Sequence, residues 1–466
     1  MLFSSMIFIF VFLPVLCVCY YVIRSRTYRN VLLCAFSLLF YAWGEPKYII
    51  LMLVSITANY LFGTGIEKNC STGSKKLLLI MAVVYNLAVL GFFKYAVFFI
   101  RNINMICRTS FTFSALPLPI GISFYTFQAL SYIIDVYRGK THAQKNFLNL
   151  MLYIALFPQL IAGPIVRYTD IENEINKRQE SFENFTKGLE QFIAGLAAKV
   201  IIANNMAVIA DSVFGNYKDA GASILWIAAL AYTFQIYFDF AGYSRMAIGL
   251  GRMFGFHFPQ NFNYPYIADS ITDFWRRWHI TLSSWFRDYV YIPLGGNRCS
   301  RTKLARNIII TWMLTGFWHG ADWNFVLWGF YYAVLLLIEK LFTGRLIRLL
   351  PKYVTIPVTL FFVVIGWILF RITNIADMCT VLHRMFTPSV FSARQYASEH
   401  AAVMSRIFFF IPAVIASLPG LKTVYWKLHA HTAGFVLELF CIICLFIISV
   451  CMLVASTYNP FIYFRF

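Results

Sequence analysis

The sequence predicts an all-α integral membrane protein, and three observations carry that expectation. Hydrophobic residues fill 60% of the 466 positions, charged residues only 13%, and the mean hydropathy is +0.67. Soluble chains carry roughly a quarter charged residues and about half apolar ones. Hydrophobic cores stop growing near ~250–300 residues, so a water-soluble fold of this length would leave much of its apolar surface wet. The apolar residues also fall in continuous runs, and a helix needs roughly 20 of them to cross hydrocarbon.

The first run, 2–23, reads as a retained transmembrane helix rather than a signal peptide. It lacks a basic leading region, it is too long, and its positive charges follow it. Arg24, Arg26 and Arg29 then hold its C-terminal end in the cytoplasm. Further candidate spans are 30–44, 47–64, 77–100, 117–136, 147–166, 184–213, 222–241, 243–256, 307–319, 321–341, 353–373, 404–418 and 434–457. Several are too short to cross alone. Those near Gly163-Pro164 and Gly316 read as re-entrant or half-spanning. Non-helical backbone at membrane depth survives only against protein or a water-filled cavity, so these interruptions point to an internal cavity. The longest polar connections are 65–76, 167–183, 257–306 and 387–403, and no 20–50-residue period recurs. A single polytopic domain over 1–466 is the expected organisation.

The segment 257–306 stands apart, with FWRRWHITLSSWFRDYVYIPLGGNRCSRTKLAR at its centre. Trp275, Trp278 and Trp285 alternate with Arg276, Arg277 and Arg287, a pattern that suits amphipathic helices lying at headgroup level. Its basic excess places it in the cytoplasm. The net charge of +19 is spread between apolar spans, as positive-inside topology requires, so no nucleic-acid partner is expected. The ten cysteines form no pair of CxxC motifs, and neither a metal site nor a disulfide framework is indicated.

Of eight histidines, His142, His257, His383, His400, His429 and His431 sit in or beside polar connections and receive no role. His319 differs. It lies in TWMLTGFWHGADWNFVLWGF, about 18 Å of helix from Asn307 at 1.5 Å per residue, which is short of the hydrocarbon thickness. The imidazole should therefore sit inside the membrane domain, where an ionisable group is a functional-site expectation. Gly316 and Gly320 leave room for backbone or substrate, and Phe317, Trp318 and Trp323 would keep water away. The same placement also fits a buried histidine that only bonds a neighbouring helix. No Ser, Cys or Asp completes a triad-like motif around it. A solitary histidine can act as general base for a hydroxyl attacking a thioester, or accept the acyl group itself.

His279 lies four residues before Ser283, so a helix would place both on one face. It could line a donor's route to His319 or anchor its helix at the interface. Arg276, Arg277, Arg287, Arg298, Arg301, Lys303 and Arg306 could grip the phosphates of coenzyme A or an acidic carrier, or could reflect topology and anionic lipid. Gln235, Asp239 and Arg245 interrupt an apolar run. A carboxylate at that depth needs a partner, and a nearby arginine is expected to supply it.

Seven blocks then occur in one order: LPLPIGISFYTFQALSYIIDVYRG (116–139), FPQLIAGPIVRY (157–168), YFDFAGYSRMAIGLGRMFGF (237–256), NFNYPY (261–266), FWRRWHITLSSWFRDYVYIPLGGNR (274–298), GFWHGADWNFVLWGFYY (316–332) and NPFIYFRF (459–466). In these the chain resembles the bacterial alginate O-acetyltransferase group of the membrane-bound O-acyltransferases. The resemblance implies a multi-helix bundle with re-entrant segments around a transmembrane tunnel, in a multi-pass protein of the cytoplasmic membrane. It makes His319, in the WHG motif, the catalytic histidine and His279, in RWH, the second characteristic one. Trp275, Arg276, Arg277, Trp278, Ser283, Gln235, Asp239 and Trp318 are the accompanying donor-binding or tunnel candidates.

The implied donor is a substrate, acetyl-CoA or an acyl-carrier thioester, with no bound cofactor or metal. An extracytoplasmic SGNH-type O-acetyltransferase is the implied partner in acetylating a polysaccharide. D-alanyl transfer to teichoic acid from a carrier protein, and a non-catalytic membrane transporter, are the alternatives. The chain departs from the usual family pattern at Arg245, Asp322 and Tyr332, where an acidic residue, a small residue and a histidine are common.

Overall fold

The computed structural model describes residues 1–69, 71–112, 114, 116–218, 220–387, 397–420, 432–456 and 462. His429, His431 and, apart from Ile462, the closing NPFIYFRF lie outside the described residues. Among the described residues every regular element is helical, so the all-α membrane fold expected from the sequence is the fold observed. Seven helices among these residues are long and apolar enough to cross a membrane: Ile49–Lys68, Thr72–Cys107, Phe182–Gly215, Ala222–Met253, Trp323–Thr343, Lys352–Arg371 and Gly434–Ala455.

Two of the expected spans merge. The runs 222–241 and 243–256 form one helix, Ala222–Met253, and the glycine between them does not break it. A Cβ on Gly242 would lie 2.8 Å from the Gly195 carbonyl oxygen, so this glycine lets two helix backbones touch. The run 147–166 does break. Helix Phe147–Ala155 is followed by the single turn Phe157–Leu160, and 161–166 is buried, non-helical chain. Its backbone groups find protein partners, as at the Val166 carbonyl, which accepts from the Tyr153 hydroxyl at 3.1 Å.

The chain packs as two compact units: Met1–Phe192 with Met246–Pro259, and Ile193–Arg245 with Gln260–Phe466. In the first, Asn59 and Asn86 exchange side-chain hydrogen bonds of 3.1 and 2.8 Å between helices Ile49–Lys68 and Thr72–Cys107. The first unit also gathers the cations that follow the opening helix. Glu180 accepts from Arg26 at 2.5 Å and from the Tyr20 hydroxyl at 2.6 Å, and Arg29 lies 3.1 Å from its other oxygen. Arg178, fully buried at its side chain, donates to Tyr20 at 3.0 Å. Two arginines read from the sequence as topology signals are thus joined to one carboxylate from a distant polar connection.

Burial alone would raise the Glu180 pKa. The Arg26 and Tyr20 hydrogen bonds and the surrounding positive charge outweigh it and hold the carboxyl at about 2. Because the folded value is depressed, the cluster's contribution is complete above pH 4.5, the ordinary carboxylate value, and is lost as pH falls towards about 2. Glu180→Gln is expected to remove this acid-sensitive component and to cost about 3 kcal/mol, the low end for a buried partner because Arg26 keeps some access to water. Thermal unfolding of the two proteins between pH 3 and pH 7 checks this; equal pH profiles would refute it.

Candidate functional site

His319 ends helix Arg301–His319, and Gly320 turns extended immediately after it. Its neighbour in the chain, Trp323–Ile338, packs back against it with almost no separation. A Cβ on Gly316 would lie 2.2 Å from the Phe325 carbonyl oxygen, and one on Gly329 would lie 2.4 Å from that of Trp312. A Cβ on Gly320 would strike the Phe325 ring at 2.1 Å. The glycines beside His319 therefore serve a neighbouring backbone and ring, one of the two uses that the sequence leaves open.

The His319 imidazole is 8% exposed and meets three aromatic rings nearly edge-on: Trp318, Trp328 and Phe370, with centroids at 5.0, 5.1 and 5.2 Å. The expected companion Trp323 is instead 48% exposed, at the first position of the next helix. Its place is taken by Trp328 and by Phe370 of helix Lys352–Arg371. His319 also lines a narrow cavity whose other walls are Ile236, Phe240, Trp278, Trp328, Trp367, Phe370 and Ile462. Among the described residues, every wall side chain except the imidazole is apolar, apart from the indole N–H groups.

The segment around His279 departs from the expected headgroup-level helices. Trp275, Trp278 and Trp285 are 8%, 4% and 5% exposed, packed within protein rather than half-wet. Two one-to-two-turn helices, Ile271–Arg277 and Ile280–Phe286, replace an amphipathic stretch. Trp275 packs on Trp312 at 4.5 Å and Tyr332 at 4.8 Å, while Trp278 packs on Trp367 at 4.7 Å. His279 does not share a helix face with Ser283. It precedes the second helix at φ +42°, where its carbonyl accepts the Ser283 N–H at 3.0 Å. That left-handed backbone is uncommon for a residue other than glycine and costs about 1–3 kcal/mol. The neighbouring segment 261–263 offsets the strain: Ile280 N–H donates to the Asn261 carbonyl, and Asn263 N–H to that of Arg277, each at 2.9 Å.

The structure brings His279, His319, Trp278 and Trp318 together. Trp318 packs near both imidazoles, with ring centroids 6.2 Å from His279 and 5.0 Å from His319. His279, 1% exposed, stands behind Phe240, whose ring is 4.6 Å away and forms part of the cavity wall. Trp275 sits one ring further out, 5.5 Å from Trp328. Arg276, Arg277 and Ser283 do not belong to the wall: Arg276 is exposed, Arg277 pairs with Asp273 at 2.7 Å, and Ser283 reaches only the Trp278 carbonyl at 3.5 Å. Gln235 is buried on the same helix as the wall residues Ile236 and Phe240.

Asp239 is buried as expected, but its partner is Lys199 at 2.6 Å, not an arginine. A π-helical turn, Ala198–Ala203, carries Lys199, which also donates to Asn204 at 2.8 Å. The second Asp239 oxygen accepts the backbone N–H of the wall residue Ile462 at 2.7 Å. Asn261, Phe240, Lys199, Trp328, Trp367 and Phe370 received no role from the sequence. Asn261, Phe240 and Trp328 fall inside motif blocks, a signal that could have found them. Trp367 and Phe370 fall in none, and only their three-residue spacing on one helix hints at a shared face.

Fold and site define a multi-pass membrane protein with two buried imidazoles beside an internal apolar cavity. Residues 142–381, which hold both imidazoles and every wall residue except Ile462, match the membrane-bound O-acyltransferase (MBOAT) family. The chain is 43% identical to the probable alginate O-acetylase AlgI of Pseudomonas aeruginosa, over 83% of this chain and 75% of that one. It is 38% identical to the probable alginate O-acetylase AlgI of Azotobacter vinelandii over the full length of both. It is also 36% identical to the peptidoglycan O-acetyltransferase of Helicobacter pylori, over 87% of this chain and 84% of that one. The chain belongs to the membrane-bound O-acyltransferase family and is an acyltransferase.

The contact beneath His319 can be tested directly. Gly316→Ala must displace the Phe325 backbone and is expected to cost about 1–3 kcal/mol in thermal unfolding of the purified protein. Gly215→Ala, where an added Cβ meets nothing within 4 Å, should be neutral or slightly stabilising. Equal unfolding temperatures for the two variants would contradict the packing described.

Proposed function

We propose that the cavity beside His319 is an acyl-transfer site, at which an acetyl group leaves a cytoplasmic thioester for a hydroxyl acceptor on the outer side of the cytoplasmic membrane. One observation carries this reading: among the described residues of the wall, the only ring nitrogens that can take up a proton belong to the His319 imidazole, held against otherwise apolar or indole groups. His319 removes the proton from the acceptor hydroxyl as its oxygen attacks the thioester carbon. The C–O bond forms, the C–S bond breaks, and the imidazolium returns its proton to the departing thiolate. Thioester and alcohol thus become ester and thiol. The surrounding rings exclude water, which would otherwise compete as the nucleophile.

The relatives support an acetyl group and a glycan acceptor, since both alginate and peptidoglycan acetylation stand in their names. Acetyl-CoA is the donor that fits best, with an acyl-carrier thioester as its chemical equivalent. A separate extracytoplasmic transferase of the SGNH type completes delivery to a polysaccharide in this scheme.

The test uses purified protein in lipid nanodiscs with radiolabelled acetyl-CoA, following thiol release and label transfer to an oligosaccharide acceptor. His319→Ala is expected to lower turnover by roughly 10²- to 10⁴-fold, the range for removing a general base, with little change in unfolding temperature. Turnover that persists unchanged in the variant removes His319 from the chemistry.

A further inference from the structure

The Asn261 carboxamide is buried at 1% exposure and sits where three donors converge. Its Oδ1 is 2.9 Å from the Thr281 hydroxyl, 3.3 Å from the Thr281 backbone nitrogen and 3.0 Å from Nδ1 of His279. A backbone N–H can only donate, so the atom facing Thr281 N must be the amide oxygen and not the NH₂ group. With that orientation fixed, the His279 nitrogen facing the same oxygen must carry a hydrogen. In a neutral ring the other nitrogen is then a bare acceptor. That atom, Nε2, is buried and has no hydrogen-bond partner among the described residues.

We propose that Asn261 is a positioning residue, which fixes His279 in its Nδ1–H form and so makes Nε2 the proton-accepting atom of the second imidazole. The assignment rests on the reading of the cavity as an acyl-transfer site and extends that site to His279, which packs on the wall residue Phe240 at 4.6 Å. It gives the first asparagine of NFNYPY a chemical role, because the loop both holds the backbone on either side of His279 and sets which ring nitrogen is free. Burial lowers the pKa of this imidazole, and any positive charge gained by His319 would lower it further. The other charged groups nearby are already engaged: Arg277 with Asp273, and Lys199 with Asp239 on the helix that carries Phe240.

Three measurements test the assignment. In nanodiscs with radiolabelled acetyl-CoA, Asn261→Ala is expected to lower kcat roughly 10- to 100-fold with KM little changed, the loss typical when a histidine's orienting partner is removed. Asn261→Asp retains an acceptor at Nδ1 and should recover most of that kcat. Its carboxylate favours the imidazolium, so the acid limb of the pH–rate profile should move to higher pH. Nitrogen NMR of ¹⁵N-histidine-labelled protein, with the His279 signal assigned by its absence in His279→Gln, should report a neutral Nδ1–H ring. An Nε2–H ring, or a pH limb that stays fixed in Asn261→Asp, overturns the proposal. If Asn261→Ala merely misfolds, the NMR measurement on the unaltered protein still decides. His279→Ala separates the two levels: full turnover there sinks the acyl-transfer reading of His279, whereas lost turnover beside an unaffected Asn261→Ala sinks only the role of Asn261.

Discussion

The architecture depends on one constraint: a polar group carried away from water must be met by another group of the same chain. Unpaired, it costs several kcal/mol in a medium that offers no replacement partner. Asp239 satisfies the rule through Lys199 and the Ile462 N–H, and Glu180 through three arginines and a tyrosine. Asn59 and Asn86 satisfy one another. Each of these pairings joins segments far apart in sequence. The polar residues that look costly in an apolar sequence are therefore the ones that specify which helices meet.

The site follows the rule less closely: among the described residues the buried Nε2 of His279, Nδ2 of Asn261 and Nε1 of Trp328 have no hydrogen-bond partner. His279 is satisfied at Nδ1 and left open at Nε2. Around it the surroundings are rings, not charges: Phe240, Phe262 and Trp318 on His279, and Trp318, Trp328 and Phe370 on His319. Rings of this size exclude water while offering few competing hydrogen bonds.

The sequence made much of this legible. Apolar run length located the helices, and block order located the family. What it could not show was depth and pairing. Trp275 and Trp278 look amphipathic beside Arg276 and Arg277, and only the folded chain reveals that the rings turn inward while Arg276 faces outward. Gly242 looks like a break because local propensity counts glycine against a helix, whereas here tertiary packing against Gly195 wins. Lys199 and Asp239 lie forty positions apart, and no local pattern pairs them. Helical periodicity also failed at His279, since the rule that joins it to Ser283 assumes both lie within one helix, and that helix starts one residue later.

The positive φ at residue 279 has a consequence for substitution that is independent of reactivity. Branching at Cβ clashes with the following carbonyl in that region of conformational space, so Val, Ile and Thr are poorly tolerated there. Glycine enters freely but brings no functional group, while Asn and Asp share with His the capacity to adopt it. The backbone thus acts as a filter on side-chain identity, narrowing the candidates to a few short polar residues before reactivity selects among them.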